Sequence, residues 1–225
     1  MLPAIRLDNM NGPRPKLLIF DMDGTLADTS TGIFESIRQV ARILGLRVPS
    51  DEELMQTSSG RLGDDFQKLW GIDNEQADKA LKIFGEYYER EGHLKSSLYP
   101  GMKELLTDLE ANGYKLAVAT MKLDECAKKQ AKVWGISDVF DSINGADLFG
   151  RMSKADLIEN SMLHAGATPD QTIMIGDTGN DLAGAKGCDT RFIAVTYGFG
   201  FTREICEEKG FVFAENTNDL RKLLL

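Results

Sequence analysis

Two aspartates two residues apart, Asp21 and Asp23, follow the apolar run Leu17-Leu18-Ile19-Phe20 and precede Gly24. A run of this kind reads as a buried strand, and the glycine behind the acids permits a sharp turn. A strand that ends in two carboxylates delivers acids to one edge of a sheet. In open α/β sheets that edge, outside the carboxyl ends of the strands, is where ligands bind. Taken alone, Asp21-Met22-Asp23-Gly24 is also compatible with a solvated turn whose aspartates bond their own backbone.

Three further places put an unusual polar residue at a strand end or loop: Thr120, Lys154, and Asp177 with Asp181. Clustered carboxylates repel and are pushed toward protonation unless a cation sits among them. A hard divalent ion with oxygen ligands answers this, and Mg²⁺ fits best because it keeps waters that a substrate phosphate can replace. Lys154 opens a helix, where the dipole favours acids rather than a lysine. Helical side chains lean toward their own N-terminus, which aims the ammonium at the strand edge.

The elements that must carry these residues alternate. Residues 16–20 form the first predicted strand, after a leader, residues 1–15, that reads as poorly ordered. Ile33, Ile37, Val40, Ala41 and Leu44 then fall at helical spacing closed by Gly45, and Ser50 with Glu53 makes a capping box for a second helix. Helices are also expected near 63–70 and 75–91, with no convincing strand between Asp28 and Leu98. From Tyr99-Pro100-Gly101 onward, strands near 115–120, 139–143, 172–175, 191–196 and 211–213 alternate with helices. Repeated βα units imply a mostly parallel sheet, because parallel strands need crossovers. The expected fold is α/β: a Rossmann-like parallel-sheet core, residues 1–28 and 98–225, with an inserted all-helical domain, residues 29–97.

Composition bounds the function. The 225 residues carry 26 Lys and Arg against 35 Asp and Glu, a net charge of -9 that argues against nucleic-acid binding. Cys126, Cys188 and Cys206 lie far apart with no CxxC pair, which argues against a disulfide framework or a structural zinc and fits a reducing cytoplasm. Neither a secretory h-region nor a membrane-length apolar run is found, so no membrane association is expected. Gly198-Phe199-Gly200 reads as a turn, since Arg203 stands where a dinucleotide fingerprint needs its third glycine. Composition is silent on oligomeric state.

At this level the chain resembles the haloacid dehalogenase superfamily, in its phosphoglycolate-phosphatase-like branch. Asp21-Met22-Asp23-Gly24-Thr25-Leu26 matches motif I, Thr120 in Ala119-Thr120-Met121-Lys122 motif II, Lys154 motif III, and Gly176-Asp177-Thr178-Gly179-Asn180-Asp181 motif IV. Two positions depart from the branch: Met121 replaces its usual Asn or Ser, and Ala155 its usual Pro. Neither touches a reacting group.

The resemblance implies a Mg²⁺-dependent phosphatase of small phosphorylated metabolites. Asp21 would be the nucleophile that forms an aspartyl-phosphate, and Asp23 the acid and then the base. Asp21, the main-chain carbonyl of Asp23, and Asp177 would hold the metal, with Asp181 reaching it directly or through water. Thr120 and Lys154 would hold phosphoryl oxygens. The inserted helices would form a mobile cap that selects the substrate, and Arg61, in the stretch Ser58-Ser59-Gly60-Arg61-Leu62-Gly63, would read the leaving group. The alternatives are a β-phosphoglucomutase-like sugar phosphate mutase, which would share Asp21 and Asp23, and a non-catalytic phosphate-binding module, against which the presence of all four motifs argues.

Overall fold

A computed structural model describes residues 13–56, 62–147 and 151–225. The first strand, β1 (Leu17–Phe20), is buried along its whole length. Two short strands, β2 (Ala27–Asp28) and β3 (Ser97–Leu98), pair with each other at the two places where the chain passes between its compact units, Met1–Ala27 with Leu98–Leu225 and Asp28–Ser97.

The Asp28–Ser97 unit holds α1 (Ser30–Leu44), α2 (Asp51–Gln56), α3 (Leu62–Trp70) and α4 (Asn74–Arg90). Its core is built from Phe34, Ile37, Val40, Leu54, Phe66 and Ala80. The local signals act as expected: Gly45 ends α1 in the left-handed region, and Ser50 and Glu53 exchange the two bonds of a capping box before α2. The proposed substrate-reading Arg61 and residues 57–60 beside it lie outside the described residues, as do residues 1–12 of the leader.

In the other unit α5 (Met102–Ala111), β4 (Lys115–Leu123), α6 (Asp124–Trp134), β5 (Ser142–Ala146), α7 (Lys154–Ala165), β6 (Thr172–Gly176), α8 (Gly179–Gly187), β7 (Arg191–Val195), α9 (Arg203–Lys209), β8 (Phe213–Ala214) and α10 (Thr217–Leu224) alternate. The sheet is parallel throughout, in the order β5-β4-β1-β6-β7-β8. The chain builds outward from β1 through β4 to β5, then returns to the other side of β1 for β6, β7 and β8. That reversal beside β1 is a topological switch point, where α/β sheets open a crevice for ligands.

Strand residues alternate between two cores. Leu18, Phe20, Leu116, Val118, Ile173 and Ile175 pack with α5, α6 and α10, while Leu17, Ile19, Ala117, Ala119 and Met174 pack with α7 and α8. Burial on both faces explains why these strands read as continuous apolar runs.

One strand is displaced from its expected place. Residues Ser137–Val139 form a 3-10 turn, and β5 starts at Ser142 and runs through Asn144-Gly145 instead of ending there. The glycine serves close approach rather than a turn: a side chain at 145 would collide with the backbone of Asp124, whose carboxylate accepts the Gly145 N–H at 3.1 Å.

Candidate active site

The three strands β4, β1 and β6 are neighbours, and their register fixes what their ends present. Phe20 is level with Val118 and with Ile175, so Asp21 stands one step past both partners and Thr120 and Asp177 two steps past. Asp21, Thr120 and Asp177 are all buried, at 8 %, 1 % and 0 % exposure.

Lys154 comes to the same place from the start of α7, where Ser153 caps the helix. Its ammonium is 2.8 Å from Asp21 Oδ1 and 2.7 Å from Asp181 Oδ1, and it donates to the Ala119 carbonyl at 2.9 Å. The ammonium thus donates to Asp21 and to the Ala119 carbonyl and pairs by charge with Asp181. The misplaced charge at the helix start is thereby explained: it is held by carboxylates from two other elements.

Asp181 lies in the first turn of α8, and its Oδ2 accepts the Thr178 N–H at 2.9 Å and the Thr178 hydroxyl at 2.7 Å. Asp177 is clamped from both sides. Thr25 donates its hydroxyl to Oδ1 at 3.0 Å, and the Phe199 N–H donates to Oδ2 at 2.8 Å. The loop carrying Phe199 is locked further by the Phe201 N–H on the Asp177 carbonyl at 2.8 Å. Gly198 makes this approach possible, because a Cβ there would run into the Gly24 carbonyl and the Asp177 side chain. What the sequence offered only as a turn therefore orients an acid of the site.

Asp23 points elsewhere. Its Oδ2 is 2.9 Å from the Lys122 ammonium, and its Oδ1 is buried without a hydrogen-bond partner. The Lys122 N–H in turn donates to Thr120 Oγ1 at 3.3 Å. Sequence reasoning gave no role to Thr25, Lys122 or the Phe199 loop. Thr25 and Lys122 stand inside the quoted motifs, so their positions were legible, whereas a donating main-chain N–H at 199 leaves no trace in residue type.

The electrostatics describe a site short of positive charge. Burial, with the charges of Asp181 and Asp23, pushes the Asp21 carboxyl up to about 7 even though Lys154 pulls the other way. Burial and the charges of Asp181 and Asp21 raise Asp177 well above the ordinary carboxylate range. Burial alone would lower Lys154, yet Asp181 and Asp21 hold it above its usual value. One ammonium cannot neutralise three buried carboxylates. Asp21, Asp177 and Asp181 each offer an oxygen, all within 4.8 Å of one another, so the set is able to hold a metal ion. Its donors are all oxygen, the chemistry of a hard divalent cation.

Comparisons with known proteins agree with this geometry. The family model described as haloacid dehalogenase-like hydrolase matches residues 18–195. The tyrosine-protein kinase PtkA of Mycobacterium tuberculosis is 33 % identical over 190 residues, 84 % of this chain and 65 % of the relative, so the match spans just under two thirds of that protein. A 5′-nucleotidase of Pseudomonas aeruginosa is 30 % identical across 92 % of this chain and 94 % of its own. A phosphoglycolate phosphatase of Vibrio vulnificus is 28 % identical across 93 % and 96 %. Among solved structures, a haloacid dehalogenase-like family hydrolase from Streptococcus pneumoniae superposes with a TM-score of 0.84 at 28 % identity, covering 92 % of this chain and 96 % of that one. The parallel sheet, the carboxylates at its edge and these matches together place the chain in the haloacid dehalogenase-like hydrolase family.

Proposed function

We propose that this protein is a Mg²⁺-dependent phosphatase of small phosphorylated metabolites. The observation that carries the reading is Asp21: one oxygen is fixed by Lys154, and the other accepts no hydrogen bond among the described residues. A carboxylate held by one oxygen and free at the other is arranged to attack a phosphorus atom. Its attack displaces the leaving alkoxide and forms an aspartyl-phosphate. Asp23, two residues on, hands its proton to the leaving oxygen, then takes one from the water that hydrolyses the intermediate.

Thr120 and Lys154 hold phosphoryl oxygens and keep the attack in line, which matters more in phosphoryl transfer than elaborate covalent chemistry. Bound Mg²⁺, on Asp21, the main-chain carbonyl of Asp23 and Asp177, with Asp181 direct or through water, would neutralise charge on the phosphoryl oxygens. The helical unit serves as a cap that selects the substrate, with Arg61 reading the leaving group; Arg61→Ala should then reorder the substrate preferences. Phosphoglycolate, a 5′-nucleotide, pyrophosphate and sugar phosphates are the candidates. The phosphoglycolate phosphatase and the 5′-nucleotidase among the relatives put the first two ahead.

Phosphate release from these four classes, with Mg²⁺ or with chelator, tests the reading against Asp21→Asn. Metal-dependent turnover of one substrate, abolished by the substitution, supports it. Absence of release from all of them points to a sugar phosphate mutase, to transfer onto another acceptor, or to a phosphate-binding module.

A further inference from the structure

Lys122 stands out beside the acid. Its side chain is 8 % exposed, and its ammonium is 2.9 Å from Asp23 Oδ2. Lys154, held among Asp21, Asp181 and the Ala119 carbonyl, serves the phosphoryl side of the site. The second buried cation therefore lies on the leaving-group side. An acid that protonates the leaving oxygen must come within about 3 Å of it. Any substituent on that oxygen consequently passes close to Lys122.

A negatively charged substituent on that oxygen would give the Lys122 ammonium a second anion within reach of its place beside Asp23. A carboxylate borne on the ester carbon places its oxygens about 3–4 Å from the ester oxygen, from ordinary bond lengths. That is within reach of an ammonium one hydrogen bond away from the acid.

We propose that Lys122 is a specificity-determining residue that selects phosphomonoesters whose leaving alcohol carries a second anionic group one or two carbons from the ester oxygen. The inference rests on the phosphatase reading above and narrows its substrate class to phosphorylated hydroxy acids and their like. On substrate binding Lys122 leaves Asp23 for the anionic group. No covalent bond changes in this exchange.

Two small compounds isolate the effect: 2-phosphoglycolate and ethyl phosphate differ by a carboxylate in place of a methyl. In the intact protein with Mg²⁺, kcat/KM for 2-phosphoglycolate should exceed that for ethyl phosphate. A charge-assisted hydrogen bond of ordinary strength predicts that Lys122→Met lowers this ratio about 10- to 100-fold, mostly through KM. Lys122→Arg, which keeps the charge, should recover part of it. A ratio unchanged by Lys122→Met, both substrates declining together, would mean that Lys122 acts only by orienting Asp23 and would overturn the proposal. So would a parent protein with no preference for the carboxylate.

Calorimetric binding of both compounds to Asp21→Asn, with and without Lys122→Met, separates this inference from the reading it rests on. If the parent hydrolyses neither compound, the phosphatase reading is decided by turnover of the other phosphate esters. Lys122 is then judged by binding alone: a preference for 2-phosphoglycolate that disappears with Lys122→Met sustains it, and a preference that persists overturns it.

Discussion

Asp21→Asn, which removes the proposed nucleophile, should stabilise the metal-free protein. Asp21 is 8 % exposed, and burial with its acidic neighbours pushes its carboxyl from an ordinary 3.8 up to about 7. Because the folded value lies above the unfolded one, the group's contribution is fully retained below about pH 4 and is lost as pH rises through about 7. The gap between the two values corresponds to a penalty of about 4 kcal/mol at pH 8, falling to about 2 kcal/mol at pH 5. The amide escapes that penalty, which already includes the attraction of Lys154 for the carboxylate. The net gain is about 4 kcal/mol at pH 8 and about 2 kcal/mol at pH 5. For a chain of this length, that raises Tm by about 8–16 °C at the higher pH. Thermal melts in chelator at pH 8 and pH 5, followed by circular dichroism, read both values. A variant that melts at or below the parent at pH 8 would refute the electrostatic account, as would an advantage that does not shrink at pH 5. Saturating Mg²⁺ should narrow the difference, since a ligand present at 100 times its Kd stabilises the parent by about 2.7 kcal/mol.

Three further outcomes follow from the same geometry. Lys154→Met leaves Asp21, Asp177 and Asp181 without their cation, so it should cost about 3–5 kcal/mol in urea unfolding of the metal-free protein and lower kcat by about 10²–10³. Asp65 in α3 is 7 % exposed with Oδ2 unpartnered, and burial, with the neighbouring Asp64, pushes it up to about 6 despite Lys68. By the same sign argument Asp65→Asn should add about 1–3 kcal/mol at pH 8 in urea unfolding, an advantage that vanishes below about pH 4. Gly198→Ala drives a methyl against Asp177 and the Gly24 carbonyl, so the Mg²⁺ concentration needed for half-maximal thermal stabilisation should rise about 10-fold or more while the far-ultraviolet spectrum stays the same.

Much of the core was legible because its strands are short, apolar and bounded by turn residues. The β1 run and the helices α1, α5 and α7 fall where periodicity and caps put them. Residues 139–143 misled because Val139 at the end of a 3-10 turn and Phe140 just after it look like the start of a strand, and because Asn144-Gly145 is a strong turn signal. Only the approach of Asp124 reveals what that glycine is for. In the site, Lys154 was legible through a broken rule, a cation at the positive end of a helix. Its partners were not, since Asp21 and Asp181 meet it across 133 and 27 positions of sequence. The Phe199 N–H is chemically the same as every other main-chain donor, so only the path of its loop could identify it.

The central position of β1 has a consequence for the order in which the molecule can assemble. Synthesis delivers this strand first, but both its partners, β4 and β6, come later, with the whole Asp28–Ser97 unit made before either. That insertion makes the β1–β4 connection about fourfold longer, which adds only about 1 kcal/mol of closure entropy. The price is kinetic instead. Four apolar residues must wait, unpaired on both edges, while about 90 more are made, and pairings at such separations form slowly and expose sticky surface meanwhile. A helical unit able to fold from local contacts keeps its own hydrophobic residues out of that exposed pool until β4 arrives.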